Sequence, residues 1–418
     1  MTLKRVVVTG LGALTPIGNT AIQFWENLLN GTSGAAPITR FDASKFKTRF
    51  ACEVKNFREE DFFDRKEARK MDPFAKYALV VADEAIKDSG IDLTKINVDK
   101  AGVIWGSGIG GLETFYNECA EFVKGDGTPR FNPFFIPKMI ADIAAGHISI
   151  KYGLRGPNFT TVSACASSTN AIIDAFNYIR LGKANIFVTG GSEAAVNEAG
   201  IGGFNAMHAL STRNDNPGTA SRPFDVDRDG FVLGEGAGAL ILEEYEHAKG
   251  RGAKIYAEVV GGGMSADANH ITAPHPEGLG ALNVMRSALE DAEMDAAEID
   301  YINVHGTSTP LGDIAESKAI KAVFGESAYK LNISSTKSMT GHLLGAAGAI
   351  ESIASILAVK NDIVPPTINH FTDDPQFDPR LNFTFNNAQK RTVNSALSNT
   401  FGFGGHNASV IFKKHIAD

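Results

Sequence analysis

Four short apolar segments recur along the chain, and each ends in a turn of small residues. They cover positions 6–12, 101–108, 184–191 and 299–306. Unbroken apolar runs are typical of strands buried on both faces. Runs with helical spacing lie between them, so the pattern predicts an α/β protein. In such sheets functional residues gather where strands end, and His305 lies at such an end.

A charged, glycine-punctuated stretch at 243–254 suggests a junction, and we predict an N-terminal half at 1–250 and a C-terminal half at 251–418. The second half opens with another strand pattern that leads into three glycines, as the first half does. A fainter echo aligns Cys165 and its following helix with His342 and the run after it. A duplicated architecture is therefore expected, although the identity between the halves is too low to establish it.

Cys165 lies between an alternating segment at 155–163 and a helical pattern at 171–180. A thiol at the start of a helix is close to unpaired backbone N–H groups and to the positive end of the helix dipole. Both favour thiolate, and the ordinary thiol pKa of about 8.5 can fall there by one or more units. The alternative is a small buried core residue. On this segment alone the two interpretations are equally good.

Composition excludes several classes of protein. With 418 residues, 43% apolar and 21% charged, the chain matches a soluble globular protein of two domains or one large composite one. The net charge of −8 argues against a general nucleic-acid binder. Cys52, Cys119 and Cys165 are far apart and odd in number, which favours a reducing compartment over a disulfide framework or zinc site.

The N-terminus resembles a secretion signal only superficially, because its apolar stretch is short and becomes glycine-rich at Gly10. No stretch of 18 uninterrupted apolar residues is present, so no membrane span is expected and we predict a cytoplasmic protein. Gly10 and Gly12 follow a strand pattern, but Thr15 stands where a dinucleotide motif has its third glycine. No Rossmann cofactor is therefore predicted.

Two histidines lie among glycines and small hydroxyl residues, where backbone can pack closely around a ligand. His305 begins His-Gly-Thr-Ser-Thr-Pro-Leu-Gly-Asp, and His342 follows Lys337 by five residues. Either histidine alone is more often structural than catalytic. Together with Cys165 they form a far more specific set.

At this point the chain resembles the β-ketoacyl-acyl-carrier-protein synthases, the condensing enzymes of fatty-acid synthesis. Four blocks carry the resemblance in order: Ser163-Ala-Cys-Ala, the His305 block, Lys337 to His342, and Gly402-Phe-Gly-Gly-His-Asn. The resemblance covers essentially the whole chain and is strongest to the type II elongating synthases. It implies a thiolase-like fold, in which two similar halves form a five-layered αβαβα core, and a homodimer.

The resemblance implies that Cys165 takes an acyl chain from an acyl-carrier protein as a thioester. Backbone N–H groups of Cys165 and Phe403 would form the oxyanion hole. His305 and His342 would stabilise the enolate that malonyl-carrier protein forms on losing CO2, and the chain would grow by two carbons. This chemistry implies no metal and no redox cofactor. Because the sequence reveals no hydrolase-style general base beside the thiol, we expect the helix N-terminus to supply its reactivity.

Further residues take roles from the same resemblance, each with a simpler alternative. Lys337 would organise the histidines with Glu351 as its ionic partner; otherwise both are solvated surface residues. Thr307 and Thr309 would bind the phosphopantetheine arm, or are turn residues. The remaining candidates are pocket or gate residues that could equally be core hydrophobes: Ile109, Phe401 and Phe403.

The implied partner, an acyl-carrier protein loaded with acyl or malonyl groups, is acidic, so an acidic chain needs a local basic face to bind it. His208 lies where some relatives carry arginine, which weakens any contribution from that position. Charge runs are usually only solvated surface. Among the first four candidates, two pairs lie one helical turn apart. The candidates are Arg65, Lys66, Arg69, Lys70, Lys124 and Arg130.

Three other functions are alternatives. A papain-like hydrolase would fit the spacing from Cys165 to His305, but its Cys-Gly-x-Cys-Trp motif, secretion signal and disulfide cysteines are absent. A thiolase has a second catalytic cysteine near the C-terminus, where this chain has His406. A non-catalytic partner subunit would have lost Cys165.

Overall fold

The computed structural model describes residues 3–416, and a large mixed sheet organises this part of the chain. Its strands and those of two small side sheets are β1 (Val6–Leu14), β2 (Ala36–Pro37), β3 (Phe50–Ala51), β4 (Ala101–Gly106), β5 (Asn158–Thr161), β6 (Ile186–Glu193), β7 (Gly236–Glu244), β8 (Ala257–Ala266), β9 (Tyr301–Asn303), β10 (Asn332–Ser334), β11 (Ile363–Val364), β12 (Gln389–Lys390), β13 (Ser395–Gly402) and β14 (His406–Lys413).

The helices alternate with these strands, as the periodicity predicts. They are α1 (Ala21–Leu29), α2 (Arg65–Ala68), α3 (Pro73–Ser89), α4 (Leu112–Lys124), α5 (Phe135–Met139), α6 (Ile143–Tyr152), α7 (Ser167–Arg180), α8 (Glu198–Ala206), α9 (Tyr245–Gly250), α10 (Leu279–Asp291), α11 (Pro310–Phe324), α12 (Lys337–Thr340) and α13 (Ala347–Asn361). None of the helices between residues 3 and 416 has the length and apolar composition that a membrane crossing demands.

The large sheet has ten strands in the order β10-β9-β13-β14-β8-β1-β7-β6-β4-β5. Read outward from its centre, each side makes the same pairings. On one side β1 pairs antiparallel with β7 and β7 with β6, and then β6, β4 and β5 run parallel. On the other side β8, β14, β13, β9 and β10 repeat this sequence of pairings. The weak similarity between the two halves in sequence therefore has a counterpart in strand pairing. The domain boundary near residue 250, which falls at the end of α9, stays a prediction.

The helices complete a five-layered arrangement around these two runs of strands. Helices α7 and α13 lie between them and contact both. Helices α3 and α6 cover the outer face of the β1-to-β5 run, and α10 with α11 covers the other outer face. The αβαβα fold class predicted from the sequence is confirmed. Helix α13 is buried from residue 347 to residue 359, which suits its mixture of small residues and larger aliphatic ones.

Two matching turns lead into the central helices. Ala164 and Leu344 have φ values of 50° and 49°, and each begins a short 3₁₀ turn that continues into α7 or α13. This matching pairs Cys165 with Gly345 rather than with His342. The alignment suggested by the sequence is therefore shifted by three residues at this point.

Close packing of α7 against the sheet generates a prediction about stability. A Cβ atom at Gly106, at the end of β4, would lie 2.4 Å from the backbone nitrogen of Ser168 and 2.6 Å from the carbonyl carbon of Ser167. Backbone cannot rotate away as a side chain can, so we expect Gly106→Ala to cost at least about 1–3 kcal/mol in unfolding free energy. Thermal unfolding followed by circular dichroism would measure it.

The matched control is Gly203→Ala in α8, where a Cβ atom would have no neighbour within 4 Å. Alanine should stabilise that helix by about 0.5–1 kcal/mol. A Gly106→Ala protein that melts at the wild-type temperature would contradict the packing described here.

Candidate active site

Cys165 is held at the turn between β5 and α7. The residue before it, Ala164, adopts a left-handed conformation that ordinary residues avoid. Hydrogen bonds hold the turn, because the Ser167 hydroxyl donates to the Ala164 carbonyl at 2.6 Å and accepts from the Ser163 amide at 2.9 Å. Cys165 is only 7% exposed, yet it lines a cavity of about 600 Å³. The thiol therefore faces a cavity rather than the outer surface of the protein.

His342 is the direct neighbour of this thiol. Its Nε2 atom lies 3.0 Å from Cys165 Sγ. The backbone of His342 is fixed on both sides, since its amide donates to Val232 at 2.8 Å and its carbonyl accepts from Gly234 at 2.9 Å. The expectation that no basic group lies beside the thiol is therefore wrong. The sequence could not reveal the contact, because 177 positions separate the two residues.

His305 is brought to the same place from the end of β9. Its ring lies 5.2 Å from the His342 ring, centroid to centroid, at an interplanar angle of 86°. The loop is held by Glu316 of α11, which accepts from the amides of His305 at 2.9 Å and Gly306 at 2.8 Å. Asn399 of β13 also donates to Glu316, at 3.2 Å. Two imidazoles and a thiol thus converge on one cavity.

Burial dominates the electrostatics of these groups. It raises the pKa of the Cys165 thiol to about 12, although the positive charge of Lys337 and a hydrogen bond from the Phe403 amide act in the opposite direction. The expected fall of this pKa at a helix N-terminus is therefore wrong for the resting site. Burial, followed by the charge of Lys337, holds the pKa values of His305 and His342 well below the ordinary value. Both imidazoles are neutral at pH 7.

Lys337 and Glu351 form the ion pair predicted from the sequence. Lys337 Nζ contacts Glu351 Oε1, and both side chains are 1% exposed. Lys337 belongs to α12 and Glu351 to α13, so the pair joins the histidine-bearing segment to the central layer. Burial raises the pKa of Glu351 to about 7, and the lysine opposes that shift. A solvated surface position is excluded for both residues.

The remaining pocket candidates also surround the cavity. The Thr307 and Thr309 hydroxyl oxygens lie 3.0 Å apart at its wall. Phe401 lies 5.5 Å from His305, ring centroid to ring centroid. Gly402 packs on the nucleophile turn, since a Cβ there would lie 3.1 Å from the Cys165 amide nitrogen. Lining residues that the sequence singled out are Ile109, Cys165, His305, Thr307, Thr309, His342, Phe401 and Phe403.

The basic candidates for docking do not line this cavity. Lys70 lies over the Phe134 ring, 5.6 Å from its centroid, which connects the end of α2 to the segment before α5. Arg130 is 3.6 Å from Asp126, so part of its charge is neutralised locally. Lys124 ends α4. His208, in contrast, does line the cavity.

Two buried carboxylates at the site escaped the sequence interpretation: Glu316, described above, and Glu193 at the end of β6. Glu193 accepts hydrogen bonds from four backbone amides, those of Gly108, Ile109, Gly110 and Gly345. The available signal was an acidic residue inside an otherwise small and apolar stretch. Within residues 3–416, no group of three or more histidine, cysteine or acidic side chains has a metal-binding arrangement.

Comparison with known proteins assigns the family. Residues 3–248 match the model of the β-ketoacyl synthase N-terminal domain, and residues 256–371 match that of its C-terminal domain. The chain therefore belongs to the β-ketoacyl synthase family, as its motifs predict. Membership makes it a condensing acyltransferase, the class of enzyme that elongates fatty acids.

Relatives match over almost the full chain. The 3-oxoacyl-[acyl-carrier-protein] synthase 2 of Staphylococcus aureus (strain COL) is 52% identical over 412 residues, covering 98% of both chains. The protein of the same name from Synechocystis sp. is 50% identical over 412 residues, covering 99% of this chain and 98% of that one. A solved type II PKS acyl-carrier protein in complex with its ketosynthase, bound to the hexaketide, includes a similar chain with a TM-score of 0.90. The solved chain is 35% identical in sequence, and the match covers 99% of the present chain and 100% of the solved one.

The raised thiol pKa predicts how Cys165 reacts with iodoacetamide. Only thiolate is alkylated, and its fraction rises about tenfold per pH unit below the pKa. With a pKa of about 12, the alkylation rate should rise continuously from pH 7 to pH 10. Mass spectrometry of the Cys165 peptide measures the rate, and the Cys119 peptide of the same digest serves as control. A plateau below pH 9 would instead support activation by the helix N-terminus.

Proposed function

We propose that this chain is a type II elongating 3-oxoacyl-acyl-carrier-protein synthase, which joins malonyl-carrier protein to an acyl chain held on Cys165 and releases CO2. The observation that carries the proposal is the convergence of Cys165, His305 and His342 on one cavity, with Nε2 of His342 3.0 Å from the thiol. A hydrolase needs only one histidine beside its thiol. The second neutral imidazole is what a developing enolate requires.

The first half-reaction transfers the acyl chain. The Cys165 sulfur attacks the thioester carbon of the acyl-carrier protein, so a new C–S bond forms and the bond to the pantetheine sulfur breaks. The thiol proton leaves with the pantetheine thiol. His342 Nε2 is positioned to hydrogen-bond the sulfur while its charge changes. The Phe403 amide, which points at the same sulfur, and the Cys165 amide are the proposed oxyanion donors.

The second half-reaction breaks the malonyl C–CO2 bond, whose electrons form an enolate on the carrier-bound thioester. Neutral His305 and His342 would each donate an N–H to that oxygen, and neutrality matters because a neutral imidazole stabilises the enolate without transferring its proton to it. The enolate carbon attacks the acyl carbonyl and expels the Cys165 sulfur, which takes up one proton. Because CO2 loss supplies the electron pair, the balance requires no redox cofactor.

Lys337 and Glu351 have a supporting role in this proposal. The lysine charge lowers the pKa values of both histidines, which favours their neutral forms, and it also lowers that of the thiol. Glu351 keeps the buried ammonium paired, since an unpaired charge at that depth would be costly. Lys337 and Glu351 therefore influence the reaction through the two histidines and the thiol.

Substrate access follows from the cavity wall. Thr307 and Thr309 are the proposed hydrogen-bond partners of the phosphopantetheine arm, since their hydroxyls lie at the wall near His305. Ile109 would limit the acyl chain, and Phe401 with Phe403 would gate its entry. Glycines on both sides of Phe403 support that motion, and Gly404 and Gly405 have φ values of 90° and 75°.

The carrier protein is the proposed partner, and the solved ketosynthase–carrier complex supports this choice. Its docking face would be built on α2, with Lys124 and Arg130 at its edge. The candidates there are Arg65 and Lys66 of α2, with Arg69 and Lys70 directly after it. We further propose that the chain acts as a cytoplasmic homodimer, with a nucleophile half at 1–250 and a histidine half at 251–418.

Acylation tests the nucleophile directly. Mixing the protein with a medium-chain acyl-carrier protein should add one acyl mass to the peptide that contains Cys165, and Cys165→Ala should abolish the adduct. Cys119→Ala, a change at the half-buried cysteine of α4, should acylate like the wild type. Intact and peptide mass spectrometry provide both readouts. No adduct on Cys165, or equal labelling of Cys165→Ala, would sink the proposed function.

His305 should matter only in the second half-reaction. We expect His305→Ala to acylate at the wild-type rate but to decarboxylate malonyl-carrier protein about 10²–10³-fold more slowly, the usual cost of losing one oxyanion donor. Release of labelled CO2 measures the step. His147→Ala, in the outer helix α6, is the control and should leave both rates unchanged. Normal decarboxylation by His305→Ala would refute the role assigned to that imidazole.

A further inference from the structure

Glu193 joins two loops that line the proposed acyl pocket, one after β4 and one before α13. We propose that it is a positioning residue that sets acyl-chain selectivity, because it holds the loop that carries Ile109 against the turn that carries Leu344. Ile109 and Leu344 both line the cavity, whereas Glu193 lies behind them and is fully buried. The inference deepens the proposed function and rests on it, since it concerns which acyl chain that site accepts.

One carboxylate receives hydrogen bonds from both loops. Its Oε2 atom accepts from the Gly108 amide at 2.7 Å and from the Gly345 amide at 3.0 Å. Its Oε1 atom accepts from the Ile109 amide at 3.2 Å and the Gly110 amide at 3.3 Å. The first loop follows β4 and the second precedes α13, so the carboxylate joins elements far apart in the chain.

The junction leaves no room for another group. A Cβ atom at Gly345 would lie 2.2 Å from the Gly108 nitrogen and 2.6 Å from Glu193 Oε2. A Cβ atom at Gly108 would lie 2.8 Å from the same oxygen. The two loops therefore meet over the carboxylate itself. If its hydrogen bonds are lost, the loops must separate rather than accommodate a substitute.

The chemistry of the contact favours an acceptor without protons, because the amide donors oppose the burial that raises the pKa of Glu193 to about 7. Four N–H groups and the Ser107 hydroxyl, 3.3 Å from Oε1, all face the two carboxylate oxygens. A carboxylate is acceptor-only, whereas an amide places an NH2 group among these donors. Glu193→Gln therefore keeps the volume and reverses the hydrogen bonding at one oxygen. Glu193→Gln should therefore make the two loops of the pocket wall more mobile without leaving a cavity at position 193.

Selectivity is the property most sensitive to this wall. A hydrophobic pocket discriminates between chains that differ by a methylene group about 10–200-fold, and we expect walls that can move to discriminate less. The amide of Ile109 is itself bound by Glu193, and Leu344 is adjacent to the bound amide of Gly345. Loops that Glu193 no longer holds should adapt to several chain lengths, so the enzyme should discriminate less between acyl chains.

The experiment compares the condensation of malonyl-carrier protein with acyl-carrier proteins whose chains have six to sixteen carbons, each of which must first acylate Cys165. For wild type and Glu193→Gln, kcat/KM is measured for each chain, and selectivity is the ratio of the best chain to the worst. We expect this ratio to fall about tenfold or more in Glu193→Gln, mainly through KM. Ser107→Ala, which removes one weaker contact, should shift it in the same direction by a smaller factor.

Glu84→Gln is the matched control for a half-buried carboxylate that accepts hydrogen bonds from backbone amides. Glu84 of α3 also accepts from two backbone amides, those of Ala13 and Ala21, but it does not line the cavity or contact its loops. It should reduce thermal stability and leave the selectivity ratio unchanged. A purely structural role for Glu193 would make the two variants alike.

The possible outcomes separate the two proposals. A folded Glu193→Gln protein with the wild-type selectivity ratio overturns the role of Glu193 alone. If that variant is not recovered folded, an unchanged ratio in Ser107→Ala overturns it instead. A wild-type protein that no chain acylates overturns the proposed function, and the inference with it.

Discussion

The close approach of helices α7 and α13 is the constraint on which the rest of the molecule depends. A Cβ atom at Gly348 of α13 would lie 2.0 Å from Thr169 Oγ1 of α7, and the Ser168 hydroxyl accepts from the Ala349 amide at 2.9 Å. Only small residues at this crossing let both helices share one layer between the two runs of strands. Because their N-termini meet there, the turn that presents Cys165 and the segment that carries His342 become neighbours.

Burial then sets the chemistry. The same low-polarity surroundings raise the thiol pKa and lower those of both imidazoles, so the resting site contains neutral reacting groups near one buried ion pair. Charge appears only during reaction, where donors that are already fixed interact strongly because their surroundings are buried and of low polarity. Glu316 and Glu193 contribute by fixing backbone rather than by contacting the reacting atoms.

Local patterns in the sequence predicted the strands and the α/β class, because each depends on spacing within a few residues, whereas the Lys337–Glu351 pair was implied by the family resemblance. Contacts across the two halves were not accessible in that way. The approach of His342 to Cys165 and the burial that raises the thiol pKa both follow from how α7 and α13 pack. Glu193 and Glu316 were missed for a related reason: an acidic residue at a strand end or on a helix is normally interpreted as surface, and only the tertiary structure reveals that backbone amides surround it.

The repeated turn shows how duplication can divide labour. Ala164 and Leu344 adopt nearly the same strained φ, and each starts the 3₁₀ turn before a central helix. In the first half the next residue is Cys165, whose side chain faces the cavity. In the second half it is Gly345, whose missing side chain lets the backbone amide reach Glu193 at 3.0 Å. The same backbone turn therefore presents a nucleophile in the first half and anchors a wall of the pocket in the second. The role of each turn depends on the side chain that follows the strained residue.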